Sequence, residues 1–163
     1  MPRASHGMAK ILIVEDSSTV QAYLARALSL HGHEVFRALN GEQGLILARA
    51  IQPDVITMDC RMPLLGGAAA AEQLAQDVDL MHVPIIFVSS VDERGELKRV
   101  LTLPNIADYL LKPVNAETLI QRVDRLLLKL DKAPVNPAWD NIERRVRQIE
   151  RWEHPSADRR ARG

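Results

Sequence analysis

Five short, mostly apolar runs recur along this chain, and each is followed by a stretch with helical spacing. The runs are Ile11–Val14, Glu34–Ala38, Val55–Met58, Ile85–Val88 and Tyr109–Leu111. Val20, Leu24, Ala27 and Leu28 line one face of a helix after the first run. Leu45, Leu47, Ala48 and Ile51 do the same after the second. An alanine-rich helix over Ala68–Val78 and another over Asp92–Leu101 follow the third and fourth. Leu119, Val123, Leu126, Leu127 and Leu130 share a face in the last. Strict alternation of strand and helix implies an α/β fold, with parallel strands joined by right-handed helical crossovers on both faces of one sheet. The unbroken apolarity of Ile11–Val14 suits a strand buried on both sides.

Punctuation between the runs supports these boundaries. Asp16-Ser17-Ser18 offers helix N-caps, and Asn115 caps the last helix. Gly32 stands where a helix C-terminal glycine belongs. Asn40-Gly41 makes a turn, Pro53 closes the second helix, and Asp54 reads as a turn residue. His31 and His33 flank the Gly32 turn and read as solvated, since a metal site there needs further ligands.

At 163 residues the chain divides into a leader over 1–8, one domain over 9–131, and an appendage over 132–163. The 21 basic and 21 acidic residues cancel, so net charge directs the chain to neither nucleic acid nor membrane. Cys60 is the single cysteine, which rules out an internal disulfide, fits a reducing compartment and reads as a small packing residue. No apolar stretch is long enough to span a bilayer, and the leader has no apolar signal region. The expected location is the cytoplasm.

Four of the five strand ends deliver polar groups. The first ends at Glu15-Asp16, the third at Asp59, the fourth at Ser89-Ser90, and the fifth at Lys112-Pro113. In open sheets of this kind, ligands bind beyond the carboxyl ends of the strands, where strand order reverses. Three carboxylates, a hydroxyl and an ammonium in that place suit a divalent cation and a phosphoryl group. Mg²⁺ prefers oxygen ligands and often bridges carboxylates to phosphate. A carboxylate is also a competent nucleophile while it stays ionised.

Taken in order, Glu15-Asp16, Asp59-Cys-Arg-Met-Pro-Leu-Leu-Gly66, Pro84-Ile-Ile-Phe-Val-Ser89 and Tyr109-Leu-Leu-Lys112-Pro113 resemble the receiver domain of two-component response regulators, of the chemotaxis-regulator kind. The resemblance covers about residues 9–131. It implies a flavodoxin-like sheet of strand order 2-1-3-4-5. It implies that Asp59 accepts a phosphoryl group from a histidine kinase or phosphotransfer protein. Glu15, Asp16, Asp59 and the backbone carbonyl of Arg61 would hold Mg²⁺. Ser89 would hydrogen-bond the phosphoryl group, Lys112 would pair with it, and Tyr109 would be the aromatic switch. The bond before Pro113 would be cis. The output would be binding of an effector, or of a second copy, through the face made by the fourth helix, fifth strand and fifth helix. Such a protein accepts phosphate rather than acting as an enzyme, beyond any self-dephosphorylation.

Four departures from the family pattern bear on the reading. Glu15 replaces an aspartate and is one methylene longer. Ser89 replaces the more usual threonine and loses a methyl restraint. Ser90 adds a second hydroxyl. Asn105 stands where the family has a glycine, and asparagine tolerates the left-handed conformation. Val91 offers no group to orient a water, so self-dephosphorylation is expected to be slow. An aspartyl-nucleophile phosphatase is the enzyme alternative, but Arg61 occupies the place of its second aspartate. A scaffold that never takes phosphate is a further alternative, opposed by retention of the acids and Lys112. No glycine-rich loop follows the first strand, which disfavours a nucleotide site.

Beyond Asp131, prolines at 134 and 137 signal a linker. Trp139, Ile142, Val146 and Ile149 then form a heptad-like stripe among arginines. A helix this short needs a partner, as a coiled coil, as a docked helix, or as the start of an output domain.

Overall fold

Side chains along a strand point alternately to the two faces of its sheet, and β1 (Lys10–Val14) uses that alternation to build two cores. The computed structural model describes residues 7–90 and 94–131. Within them β2 (Glu34–Ala38), β3 (Val55–Asp59), β4 (Ile85–Ser89) and β5 (Ile106–Leu111) join β1 in one parallel sheet, ordered β2-β1-β3-β4-β5. The helices are α1 (Ser18–Leu30), α2 (Gly41–Ile51), α3 (Gly67–Gln76), α4 (Arg94–Val100) and α5 (Ala116–Asp131). Leu12 and Val14 pack with Ile56, Met58 and Phe87 beneath α2, α3 and α4. Ile11 and Ile13 face the other way, with Val55 and Ile86, against α1 and α5. The sheet therefore has helices on both faces, and its order is the flavodoxin-like one. None of the helices among the described residues is long and apolar enough to cross a membrane.

Local chemistry fixes the helix ends. Ser17 caps α1, its Oγ accepting from Val20 N at 3.4 Å. Asn40 does more than turn the chain: its Oδ1 accepts from Gln43 N at 2.9 Å and caps α2. Asn115 Oδ1 accepts from Glu117 N at 2.8 Å at the start of α5. Gly32, with φ 104°, supplies the left-handed residue after α1.

Several sequence expectations shift. α3 ends at Gln76, two residues before Val78, because Asp77 closes the turn and its Oδ1 accepts from Asp79 N at 3.0 Å. β5 begins at Ile106 rather than Tyr109 and carries a register irregularity against β4 between Ile85 and Ile86. Asp54 is bound into the sheet's amino end, its Oδ2 accepting from Lys10 N at 2.7 Å. Asn105 is not in the left-handed region, which among the non-glycine described residues is occupied by Gln52 and Leu64. Asn105 is instead buried, with its Nδ2 donating to Ala71 O at 3.2 Å. His33 is buried rather than solvated, and His31 is half-buried beside Asp124. The segment around Val91 and the stripe Trp139, Ile142, Val146 and Ile149 lie outside the described residues.

Candidate functional site: an acidic pocket at the strand ends

The chain passes from β1 out to β2 and returns past β1 to β3, so strand order reverses between β1 and β3. A crevice at the carboxyl ends of these strands follows from that reversal. Glu15 continues β1 and is anchored there by its N–H, which donates to Ala38 O at 3.0 Å. Asp59 is the last residue of β3, and the next amide, Cys60 N, donates to Val88 O at 3.0 Å. Ser89 ends β4, and its carbonyl accepts from Lys112 N at 2.8 Å, which sets Lys112 beside the pocket. The Lys112–Pro113 peptide bond is cis.

The pocket gathers Glu15, Asp16, Asp59, Ser89 and Lys112 at one end of the sheet. Glu15, Asp16 and Asp59 each present a carboxylate oxygen within 4.8 Å of the others. Lys112 Nζ donates to Asp59 Oδ2 at 3.0 Å and lies 3.7 Å from Glu15 Oε2. Glu15 and Asp59 are only 3% and 2% exposed, whereas Asp16 is at the surface. Glu15 Oε1 accepts from Ser17 N at 3.1 Å.

Burial of this much charge shows in the acidities. Desolvation, and then the nearby Asp59 charge, push the Glu15 carboxyl up to about 7. Desolvation also raises Asp59, against the opposing hydrogen bond and charge of Lys112. Partial burial of the Lys112 ammonium works to lower its pKa. The hydrogen bond and charge of Asp59, with Glu15 and Asp16, outweigh that and hold it above its ordinary value.

Two buried atoms mark what the pocket lacks. Asp59 Oδ1 and Ser89 Oγ have no hydrogen-bond partner among the described residues. Buried polar atoms are normally satisfied, and leaving one unsatisfied costs about 1–3 kcal/mol. An all-oxygen cluster with an unsatisfied carboxylate oxygen fits a hard divalent cation such as Mg²⁺. It fits a soft thiophilic ion poorly.

Two further residues singled out from the sequence carry exposed side chains. Tyr109 is 44% exposed on β5, and the Arg61 side chain is exposed. Sequence reading also missed residues that build the pocket. Gln21 is buried, and its Nε2 donates to Ala38 O at 2.8 Å and Glu15 O at 3.3 Å, bracing the β1 exit. A polar residue on the buried stripe of α1 was the available signal. Gly67 starts α3 against Asp59: a Cβ there collides with the Asp59 carbonyl oxygen, and Gly67 N donates to Cys60 O at 2.9 Å. Cys60 is buried as expected, and its thiol also reaches Glu96 Oε2 of α4 at 2.9 Å.

The fold is that of a doubly wound parallel α/β protein, with an acidic cluster and a lysine at the carboxyl edge of its sheet. The chain belongs to the response regulator receiver domain family, which matches residues 11–124, and is thus a receiver domain of two-component signalling. It is 42% identical over 123 residues to Protein PilH of Pseudomonas aeruginosa, covering 74% of this chain and 98% of that one. The receiver domain of a signal transduction histidine kinase from Syntrophus aciditrophicus superposes with a TM-score of 0.70 at 28% identity, covering 78% of this chain and 96% of the other. The receiver domain of a Pseudomonas aeruginosa sensor histidine kinase superposes at 0.67 with 29% identity, covering 74% and 98%, and that structure has a magnesium ion coordinated in its active site cleft.

Proposed function

We propose that this receiver accepts a phosphoryl group on Asp59 from a histidine kinase or phosphotransfer protein, with Mg²⁺ held by Glu15, Asp16, Asp59 and the Arg61 backbone carbonyl. The observation that carries the reading is the pairing of a buried Asp59 carboxylate with Lys112 at 3.0 Å, while Asp59 Oδ1 and Ser89 Oγ have no hydrogen-bond partner among the described residues.

The chemistry follows from the groups present. An Asp59 carboxylate oxygen forms the bond to phosphorus as the bond from phosphorus to the donor's imidazole nitrogen breaks. The imidazole leaves with the electron pair and its proton balance restored by solvent. Phosphoryl transfer depends on in-line positioning and neutralisation of charge more than on bond-making by the protein. Lys112 carries a full positive charge throughout, since its pKa is raised. It pairs with the phosphoryl oxygens that replace part of its contact with Asp59. Ser89 Oγ, buried and without a partner among the described residues, donates to a phosphoryl oxygen. Mg²⁺, when bound, neutralises the clustered carboxylates and keeps Asp59 ionised.

The signal leaves through β5. Movement of Ser89 toward the phosphoryl group opens space beneath Tyr109, whose ring is outward in this conformation. Tyr109, Leu111, Leu101 and Leu128 are large exposed apolar side chains on β5, α5 and the α4–β5 connection. An effector or a second copy binds this face when the ring turns inward. Such a transition is a population shift, so some active form exists without phosphate.

Incubation with acetyl phosphate and Mg²⁺, read by intact mass, tests the reading. The expected result is one added phosphoryl group, lost in Asp59→Asn and in the presence of excess chelator. A wild-type mass that does not change, or an adduct that persists in Asp59→Asn, removes it.

A further inference from the structure

A second cluster of metal-ligating side chains sits at the opposite end of the sheet from the acidic pocket. His33 immediately precedes β2, next to the amino end of β1, where Glu34 N donates to Ala9 O at 2.9 Å. His31 lies in the turn after α1, and Asp124 comes from the middle of α5. The Gly32 turn, with φ 104°, folds the two imidazoles toward each other, ring centroids 5.6 Å apart. His31 Nε2 lies 3.0 Å from Asp124 Oδ2, and His33 Nε2 lies 3.9 Å from Asp124 Oδ1. One ligand atom from each of the three residues falls within 4.8 Å of the others.

We propose that His31, His33 and Asp124 form a binding site for Zn²⁺ or a similar borderline first-row cation, separate from the oxygen-only pocket at Asp59. Ligand atoms about 2.0–2.2 Å from a tetrahedral zinc lie about 3.3–3.6 Å from one another. The 3.0 and 3.9 Å contacts run to the two different oxygens of the Asp124 carboxylate, and one ligand atom from each residue lies within 4.8 Å of the others, so an ion would draw the three groups together from near that spacing. Two imidazoles and a carboxylate select zinc over Mg²⁺, which favours oxygen ligands and gives up its waters reluctantly. Asp124 Oδ1 is buried and accepts no hydrogen bond among the described residues, so a lone pair is available to the ion. The His31 and Asp124 side chains keep 17% and 27% of their surface exposed, which gives the ion an entry path and a place for a water as fourth ligand. His33 Nδ1 receives Ala9 N–H in a long contact of 3.4 Å. Ligation through Nε2 moves the ring proton to Nδ1 and exchanges that contact for the metal bond. The bound ion ties the α1–β2 turn to α5, elements distant in sequence.

The full chain titrated with Zn²⁺ by calorimetry, in millimolar Mg²⁺ to occupy the acidic pocket, tests the site. One Zn²⁺ per chain at micromolar or tighter affinity is expected, with a higher Tm. His31→Ala and Asp124→Asn are expected to weaken binding at least about tenfold, and Asp59→Asn to leave it unchanged. Both His31 and Asp124 are partly exposed, so these variants avoid emptying the core, and a melt in chelator verifies that each folds. His6, His82 and His154 remain in every variant, so adventitious binding at scattered histidines survives the substitutions. Undiminished affinity in both variants overturns the proposal. So does loss of zinc binding in Asp59→Asn, or displacement of zinc by Mg²⁺.

Discussion

Ile11, Leu12, Ile13 and Val14 fill β1 with apolar side chains no more than 1% exposed, whereas the next residue, Glu15, buries a carboxylate to 3%. The same contrast repeats along β3, where Met58 is followed by Asp59, and along β4, where Val88 is followed by Ser89. Strand interiors bury carbon and satisfy every neighbour through the ladder. The strand ends bury charge and hydroxyl groups that the protein itself leaves incompletely paired. The interior of the sheet supplies the stability that its carboxyl edge consumes, and on the proposed reading the edge gains from Mg²⁺ and a phosphoryl group.

Core truncation has the largest expected effect. Phe87 is fully buried between β3 and β5 on the face covered by α3. Phe87→Ala should lower unfolding free energy by about 3–5 kcal/mol in a urea titration. A loss under about 1 kcal/mol would mean that this face of the sheet is not packed as described.

Mg²⁺ should act at the other side of the contrast. At a hundredfold excess over its dissociation constant, a cation that binds only the folded state stabilises it by about 2.7 kcal/mol. A melt that does not move in Mg²⁺ would break the assignment of the pocket. Glu15→Gln together with Asp59→Asn should abolish the shift.

The pocket also predicts a pH dependence of defined sign. Folding raises the Glu15 pKa from the ordinary 4.5 to about 7, so between those values the native state holds more protons than the unfolded chain. The stabilising contribution of the protonated group is complete at the acid end of that window and is lost as pH rises through the folded pKa. Asp59, also raised, acts in the same sense. Metal-free protein should therefore have a lower Tm at pH 8 than at pH 6, and Mg²⁺ should flatten the difference. Asp59→Asn, which removes one of the repelling charges, should raise the metal-free Tm at pH 8. A lowered Tm would show that the Lys112 pair outweighs the burial cost.

The smallest effect belongs to the Ser17 hydroxyl, which caps α1 through a 3.4 Å contact, while the Ser17 N–H that donates to Glu15 Oε1 is kept when the side chain is truncated. Ser17→Ala should cost about 0.5–1 kcal/mol by the same titration, with phosphoryl acceptance unaffected.

Much of this was legible in the order of residues. Short apolar runs and helical spacing reveal the strands and helices, because a strand covered on both faces is apolar throughout and a helix buries one stripe. The polar residues at the ends of four strands are legible because strand ends in a parallel sheet share one edge. Roles that depend on contacts distant in sequence were not legible. His33 looked solvated beside a glycine turn, and only the packing of α5 brings Asp124 to it. Asn105 looked suited to a left-handed turn, but Ala71 O on α3 captures its amide instead. Gln21 gave no pattern signal of its partners, which are two carbonyls at the ends of β1 and β2. Gly67 was not legible as a position where α3 meets the backbone of Asp59.

Trapping the acyl phosphate with borohydride after phosphorylation, then sequencing the peptides, tests the central claim most directly. The account predicts reduction of a single carboxyl, at position 59, and only when Mg²⁺ was present. Modification at Glu15 or Asp16, or none at all in a chain that is folded and saturated with Mg²⁺, would contradict it.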